Sequence, residues 1–216
     1  MRRLFRRLEK EGVLDPAVQR EIDSLRQHGI FAIASPDLQE AVIDYLTECA
    51  PTGFFTKGAT RTGKHHPSWQ NGPSGILRNT TECCLILPGL ASSLPDFLDD
   101  GKQVRLDMLD IAYAATIVSD SLKWNRLGEW STAPHEIAGA KAWTDFALPR
   151  VKRTRLTLGE VLGVEQAVRW HHGVWSADFR KGQGLTPESW LVHLSDTVLA
   201  QKALEKIYEP KQRIDD

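Results

Sequence analysis

The chain has 216 residues, of which 41% are hydrophobic and 25% are charged. This length suffices for one sizeable hydrophobic core, with or without a small extension, and the composition is that of a globular protein. The formal net charge of −1 argues against a nucleic-acid coat or a membrane-surface protein, but it leaves room for a basic pocket that binds phosphate.

The cysteines and the apolar runs bear on the compartment. Three cysteines, two of them adjacent at positions 83–84, do not make a disulfide framework and fit a reducing cytoplasm. No apolar run approaches membrane-spanning length, and the basic N-terminus lacks the apolar segment of a signal peptide. We therefore expect a cytoplasmic protein without a membrane partner.

Capping signals divide the first part of the chain into helices. Residues 15–16 (DP) supply a cap and a first turn within a helical stretch over residues 1–30, which Gly29 ends. Residues 35–37 (SPD) begin a second helix that runs to about Cys49 by the same signals. Residues 50–75, rich in glycine and proline, predict a long loop, either functional or merely solvated.

The remaining elements are also predicted to be helical. One helix begins at Gly75 and stops at Pro88, a short one follows over residues 94–98, and a long apolar one covers residues 106–124. Further helices carry His135, cover residues 157–171, and extend from Thr186 through residue 207. Strand signals are scarce, so we expect an all-α single domain of about eight helices.

An acid interrupts the long apolar helix. Asp120 lies close to the face formed by Ala115, Val118 and Leu122, where a carboxylate is costly unless it is paired or bound to metal. Imidazole and carboxylate groups suit divalent transition metals, and a carboxylate can bridge two such ions. The candidate metal ligands are Asp120, His135, His171, His172 and Asp196.

Each candidate also has a simpler interpretation. Asp120 could pair with Lys123 or Arg78 instead of a metal. His135 could cap its helix, and His171 with His172 could be favoured as cations at a helix C-terminus.

Several segments between residues 40 and 205 resemble, in the same order, the motifs of the HD-domain superfamily of metal-dependent phosphohydrolases. Small bacterial and phage members are the most similar. In them, G-K-Y-H-P precedes G-G-L-V-R-H-T, and L-x-H-D-x-x-K, H-P-x-x-A, H-M-G-x-W and V-H-L-A-D follow. The matching segments here are residues 63–67 (GKHHP), 74–80 (SGILRNT), 117–123 (IVSDSLK), 135–139 (HEIAG), 171–175 (HHGVW) and 192–196 (VHLSD).

The resemblance implies a domain organisation and an activity. We expect an N-terminal helical extension over residues 1–35, an HD-like helical core over residues 36–208, and a polar tail over residues 209–216. The implied activity is hydrolysis of a nucleotide or nucleic-acid phosphoester. The expected partners are a nucleotide, another phosphorylated small molecule or a nucleic-acid end, and a homo-oligomer stays open.

Two departures from the motifs affect the metal site. Asn79 stands where the first metal histidine belongs, and Ser119 stands where the histidine of the histidine-aspartate pair belongs. Asp120, His135 and one of the two histidines at positions 171–172 keep the other half, which suffices for one ion with an open position. The implied cofactor is therefore one divalent metal (Mn, Fe, Ni, Zn or Mg), or none.

The remaining site residues follow from the same comparison. Lys123 falls one helical turn after Asp120 and matches a phosphate-contacting lysine, so Asp120, Lys123 and Arg78 are the expected catalytic residues. The expected substrate-binding residues are Arg61, Lys64, Asn79, Ser119 and Trp175. Because of the two departures, a catalytically inactive nucleotide-binding or regulatory protein stays open, as does redox or lyase chemistry on the same fold.

Overall fold

The computed structural model describes residues 1–62, 66–94, 98–99, 103–125, 127–176 and 185–201. Over these residues the fold is all-α, as the sequence predicts, with one small antiparallel hairpin, β1 (Leu98–Asp99) and β2 (Gln103–Val104). The helices are α1 (Arg2–Lys10), α2 (Pro16–His28), α3 (Pro36–Glu48), α4 (Thr52–Thr56), α5 (Ser68–Asn71), α6 (Gly75–Ala91), α7 (Leu106–Ser119), α8 (His135–Ala147), α9 (Leu158–Arg169) and α10 (Pro187–Leu199).

Side-chain caps account for the predicted helix starts. The Asp15 carboxylate accepts hydrogen bonds from the backbone amides of Ala17 and Val18, which begins α2. Thr157 and Glu160 form a reciprocal capping box at the start of α9. These starts are confirmed because a cap is a local interaction that a few neighbouring residues determine.

The prediction of about eight helices was wrong, since the described residues contain ten. Two short helices, α4 and α5, lie inside the stretch predicted as loop. Phe54 and Phe55 of α4 are fully buried, so packing stabilises a helical turn there despite the flanking glycine and proline. The short helix predicted over residues 94–98 was wrong at residue 98, because Leu98 pairs with Val104 in the hairpin, and residues 95–97 lie outside the described residues.

Helix α6 continues past the proline that was predicted to end it. Pro88 lies inside the helix, where it lacks an amide hydrogen and costs about 3 kcal/mol relative to alanine. Leu87 and Ala91, on either side of it, are both fully buried. The free energy gained by burying this last turn therefore outweighs the cost of placing proline inside the helix.

Helix α7 is the central helix of the domain. Every residue from Ala112 to Ser119 is buried, and the helix packs against α3, α6, α8, α9 and α10. It ends five residues before the predicted end at Trp124, because the Ser121 hydroxyl and amide both bond to the Val118 carbonyl. Asp120 is consequently the first residue beyond the helix, with φ −93° and ψ 0°.

The N-terminal helices join the same hydrophobic core as α7. Leu4 and Leu8 of α1 and Ile22 of α2 belong to one buried cluster that also contains Ile117 and Val118. The domain boundaries at residues 35 and 208 stay predictions, and the tail over residues 209–216 lies outside the described residues.

No helix among the described residues has both the length and the apolar character that crossing a bilayer requires.

A buried carboxylate ties α3 to α7, and its removal tests this junction. Asp110 accepts hydrogen bonds from the amides of Ala34 (2.8 Å) and Ser35 (2.7 Å). Because bonds to a charged acceptor contribute about 1.5–3 kcal/mol each, Asp110→Ala is expected to lower the free energy of unfolding by about 2–3 kcal/mol in urea denaturation. Asp107, with its side chain 71% exposed, is the control, and Asp107→Ala is expected to change it by less than about 0.5 kcal/mol. Equal losses in the two variants would contradict this assignment.

Candidate metal centre

Asp120 lies at the centre of a buried polar cluster beyond the C-terminus of α7. It is 3% exposed. Its Oδ2 accepts a hydrogen bond from Lys123 Nζ at 2.7 Å and a longer one from Asn79 Nδ2 at 3.5 Å. Its Oδ1 is buried without a hydrogen-bond partner. One carboxylate oxygen is thus engaged and the other is available.

Two histidines direct ring nitrogens at the available oxygen. His135, the first residue of α8, places Nε2 3.4 Å from Asp120 Oδ1, and His171, just after α9, places Nε2 3.8 Å from it. Both Nε2 atoms are buried and have no hydrogen-bond partner. Three unsatisfied buried polar atoms therefore converge, an arrangement that is costly unless something binds them.

The tautomer of His171 suits a metal ligand. Its Nδ1 lies 2.7 Å from the Val168 carbonyl oxygen, which can only accept, so Nδ1 carries the proton and Nε2 carries the lone pair. Burial, together with His172 and His135, lowers the pKa of His171 well below its usual range. The ring is therefore neutral, as metal coordination requires.

His172 completes a group of three histidines. The candidate ligand atoms of His135, His171 and His172 all lie within 4.8 Å of one another, and this triad can hold a metal ion. Glu136 Oε2 lies 3.7 Å from His135 Nδ1 and 3.9 Å from His172 Nδ1. A carboxylate behind the rings is the usual means of orienting ligating histidines.

Charge pairing keeps Asp120 ionised. Burial alone raises the pKa of its carboxyl, but the charge on Lys123 more than offsets this effect, with a smaller contribution from His135, so the pKa lies well below its usual range. Burial likewise opposes the charge on Lys123, but Asp120 and Asp196 outweigh it and raise the pKa of the ammonium. The pair is ionised at neutral pH.

The two residues that depart from the motifs lie beside this pair. Asn79 is 1% exposed and contacts Asp120 through its amide nitrogen, while its Oδ1 is buried without a partner. Ser119 is buried too, but its hydroxyl donates to the Thr116 carbonyl at 3.0 Å. Asp196, half-buried on α10, is outside the histidine triad, although its charge acts on Lys123 and His172.

The other predicted site residues are less closely associated with the centre. Arg78 is bound elsewhere, since it pairs with Glu21 and donates to the Trp69 carbonyl at 2.6 Å. Arg61 is exposed, Trp175 is 74% exposed, and Lys64 lies outside the described residues. The structure thus brings together Asp120, Lys123, Asn79 and the three histidines, but it does not bring Arg78 to them.

His66 and His193 are not among the site residues that the sequence predicts, but the structure places both near the site. His193 donates from Nδ1 to the His171 carbonyl oxygen at 2.9 Å, which fixes the turn that carries His171 and His172. His66 is 6% exposed and close enough to Asp120 and Lys123 for their charges to affect its pKa. A signal for His66 existed in the GKHHP segment, whose second histidine matches that of the G-K-Y-H-P motif.

No family model matches the chain, and neither the curated proteins nor the solved structures provide a match. The functional interpretation therefore depends on the geometry of this cluster.

Acid is expected to destabilise the metal-free protein through His171. Above about pH 6.5 the residue is neutral in both states, whereas below it only the unfolded chain takes up the proton. The free energy of unfolding should therefore decrease as the pH is lowered, and this group should contribute at most about 1.4 kcal/mol per pH unit. Urea denaturation of chelator-treated protein between about pH 7.5 and about pH 5.5 measures the effect. His171→Gln is expected to make the free energy of unfolding depend less on pH. An unchanged pH dependence in this variant would contradict the role assigned to His171.

The turn after α9 is expected to require glycine. Gly173 has φ +60°, and an added Cβ would lie 2.9 Å from the His193 ring. Gly173→Ala is therefore expected to lower the free energy of unfolding by about 1–3 kcal/mol. In the control Gly89→Ala, an added Cβ at this exposed position of α6 meets nothing within 4 Å, and stability should rise by about 0.5–1 kcal/mol. Thermal denaturation of both variants tests the contrast.

Proposed function

We propose that this chain is an HD-like metal-dependent phosphohydrolase with a one-metal site, acting on a nucleotide or nucleic-acid phosphoester. The observation that carries the proposal is the convergence of Asp120 Oδ1, His135 Nε2 and His171 Nε2, three buried atoms without hydrogen-bond partners. Their chemistry fits a divalent transition ion.

The expected ligands are Asp120, His135 and one of the two histidines at positions 171 and 172. A set dominated by imidazole favours Mn²⁺, Fe²⁺, Ni²⁺ or Zn²⁺ over Mg²⁺, which prefers oxygen ligands. A bound ion would supply Lewis acidity for a phosphoryl oxygen and would make water easier to deprotonate.

Lys123 supplies positive charge beside the ligands. Its ammonium has three donor hydrogens, and it donates one of them to Asp120 Oδ2. In a site shielded from bulk water, a preorganised cation stabilises charge that develops on phosphoryl oxygens. Arg78 is a weaker candidate for this role, because Glu21 and the Trp69 carbonyl hold it.

A second function has one specific observation in its favour. The Asp120–Lys123 pair neutralises the central carboxylate without any ion, and Asn79 and Ser119 are poor metal ligands. This arrangement suits a non-catalytic domain that binds a nucleotide and regulates a partner. Such a domain would be stabilised by nucleotides without metal and would release no product.

Metal analysis followed by assay tests the proposal. The purified protein is expected to bind about one equivalent of Mn²⁺ or Zn²⁺ in titration calorimetry, as a site with three protein ligands allows. His135→Ala should weaken binding by about 100-fold or more, since changes to groups that merely support ligands already cost 10–100-fold. His28→Ala, which alters an exposed histidine, is the control and should bind normally.

Turnover is then measured on a panel of nucleotides and short oligonucleotides with each metal. Asp120→Asn is expected to abolish phosphate release, whereas Asp145→Asn, at an exposed aspartate, should not. Metal binding without turnover, or turnover that survives Asp120→Asn, would contradict the proposal. Nucleotide-induced thermal stabilisation with neither metal nor product would establish the regulatory alternative.

A further inference from the structure

A hydrogen-bonded chain of three side chains fixes the orientation of His66. Its Nδ1 lies 2.7 Å from Gln70 Oε1, and Gln70 is fully buried. Gln70 Nε2 in turn donates to Glu82 Oε2 at 2.5 Å. Glu82 also accepts from Trp69 Nε1 at 3.1 Å, so two donors hold its carboxylate in place.

This chain determines the tautomer of His66. The Glu82 carboxylate accepts from the amide nitrogen of Gln70, which leaves the amide oxygen facing the histidine. That oxygen can only accept, so the proton of a neutral His66 lies on Nδ1 and the lone pair lies on Nε2. Aligning a histidine through a second buried polar group is how proteins prepare a proton acceptor.

The chain of hydrogen bonds ends on α6 close to the site, because Glu82 lies one helical turn after Asn79, whose amide contacts Asp120. Burial lowers the pKa of His66, as does Lys123, while Gln70, Asp196 and Asp120 act in the opposite direction. The imidazole is therefore neutral at pH 7 and close to the lysine and the two carboxylates. Neither Lys123 nor Asp120 is a good base, because the ammonium carries no lone pair and the Asp120 carboxylate is ion-paired with it.

We propose that His66 is the general base of the site, held by Gln70 and Glu82, and that it accepts the proton of the attacking water on Nε2. This inference rests on the proposed function. In the step, the water oxygen forms a bond to phosphorus as its proton passes to Nε2, and the bond from phosphorus to the leaving oxygen breaks. Solvent protonates the leaving oxygen, and His66 returns its proton to solvent.

The tautomer is tested without any substrate. Long-range ¹H–¹⁵N correlation spectra of the full-length, ¹⁵N-histidine-labelled protein should show His66 protonated at Nδ1 alone at neutral pH. In Gln70→Leu, which removes the acceptor at similar size, His66 is expected to exchange between the two tautomers. A His66 protonated at Nε2 in the wild type would overturn the proposal.

The chemical role is tested with bis(4-nitrophenyl) phosphate and Mn²⁺. His66→Gln is expected to lower kcat by about 100-fold or more with KM little changed, because general-base catalysis contributes about 10²–10⁴-fold. Gln70→Leu should lower kcat by a smaller factor. Calorimetry should find Mn²⁺ affinity unchanged in both, which separates a base from a ligand. The control His28→Gln should behave as wild type.

The outcomes separate this inference from the proposed function. If the wild type is active but His66→Gln keeps kcat within about twofold, far short of a base's contribution, the role of His66 is wrong and the hydrolase stands. If the wild type binds Mn²⁺ and hydrolyses nothing, both are wrong. If His66→Gln does not fold, Gln70→Leu decides, and unaltered kcat with a mixed tautomer would reject the proposal.

Discussion

The buried salt bridge between Asp120 and Lys123 is the interaction on which the site depends. Removing two charges from water costs several kcal/mol per ion, which only close pairing and further polar contacts offset. Asn79 provides one such contact. Because Lys123 engages Oδ2, the second oxygen faces His135 and His171. The salt bridge thus stabilises the buried carboxylate and also orients its second oxygen toward the two histidines.

The sequence predicted helix boundaries well where neighbouring residues determine them, and less well where tertiary packing determines them. Asp15 and Thr157 announce helix starts because a cap involves only a few neighbouring residues. The ends of α6 and α7 were missed, since Pro88 is overridden by burial and Ser121 terminates α7 through its own hydroxyl. Such effects depend on distant partners that periodicity does not reveal.

The candidate site shows the same division. The motif order places Asp120, His135 and His171 in one centre, and the structure brings them together. It does not bring Arg78 there, because Glu21, 57 positions earlier in the chain, binds the guanidinium. The sequence did not predict a role for His66. Its importance comes from Gln70 and Glu82, whose hydrogen bonds become visible only when α5 packs on α6.

Ion binding by the triad would depend on the integrity of the whole core. Its histidines come from the start of α8 and from beyond α9, and Asp120 comes from the end of α7, so no short peptide of this chain contains the set. An unfolded chain would have to close two long loops to assemble them, at an entropic cost. An ion held by this cluster would bind the native state selectively and would stabilise it in proportion to the logarithm of the ion concentration. The abundance of the folded protein would then follow metal supply.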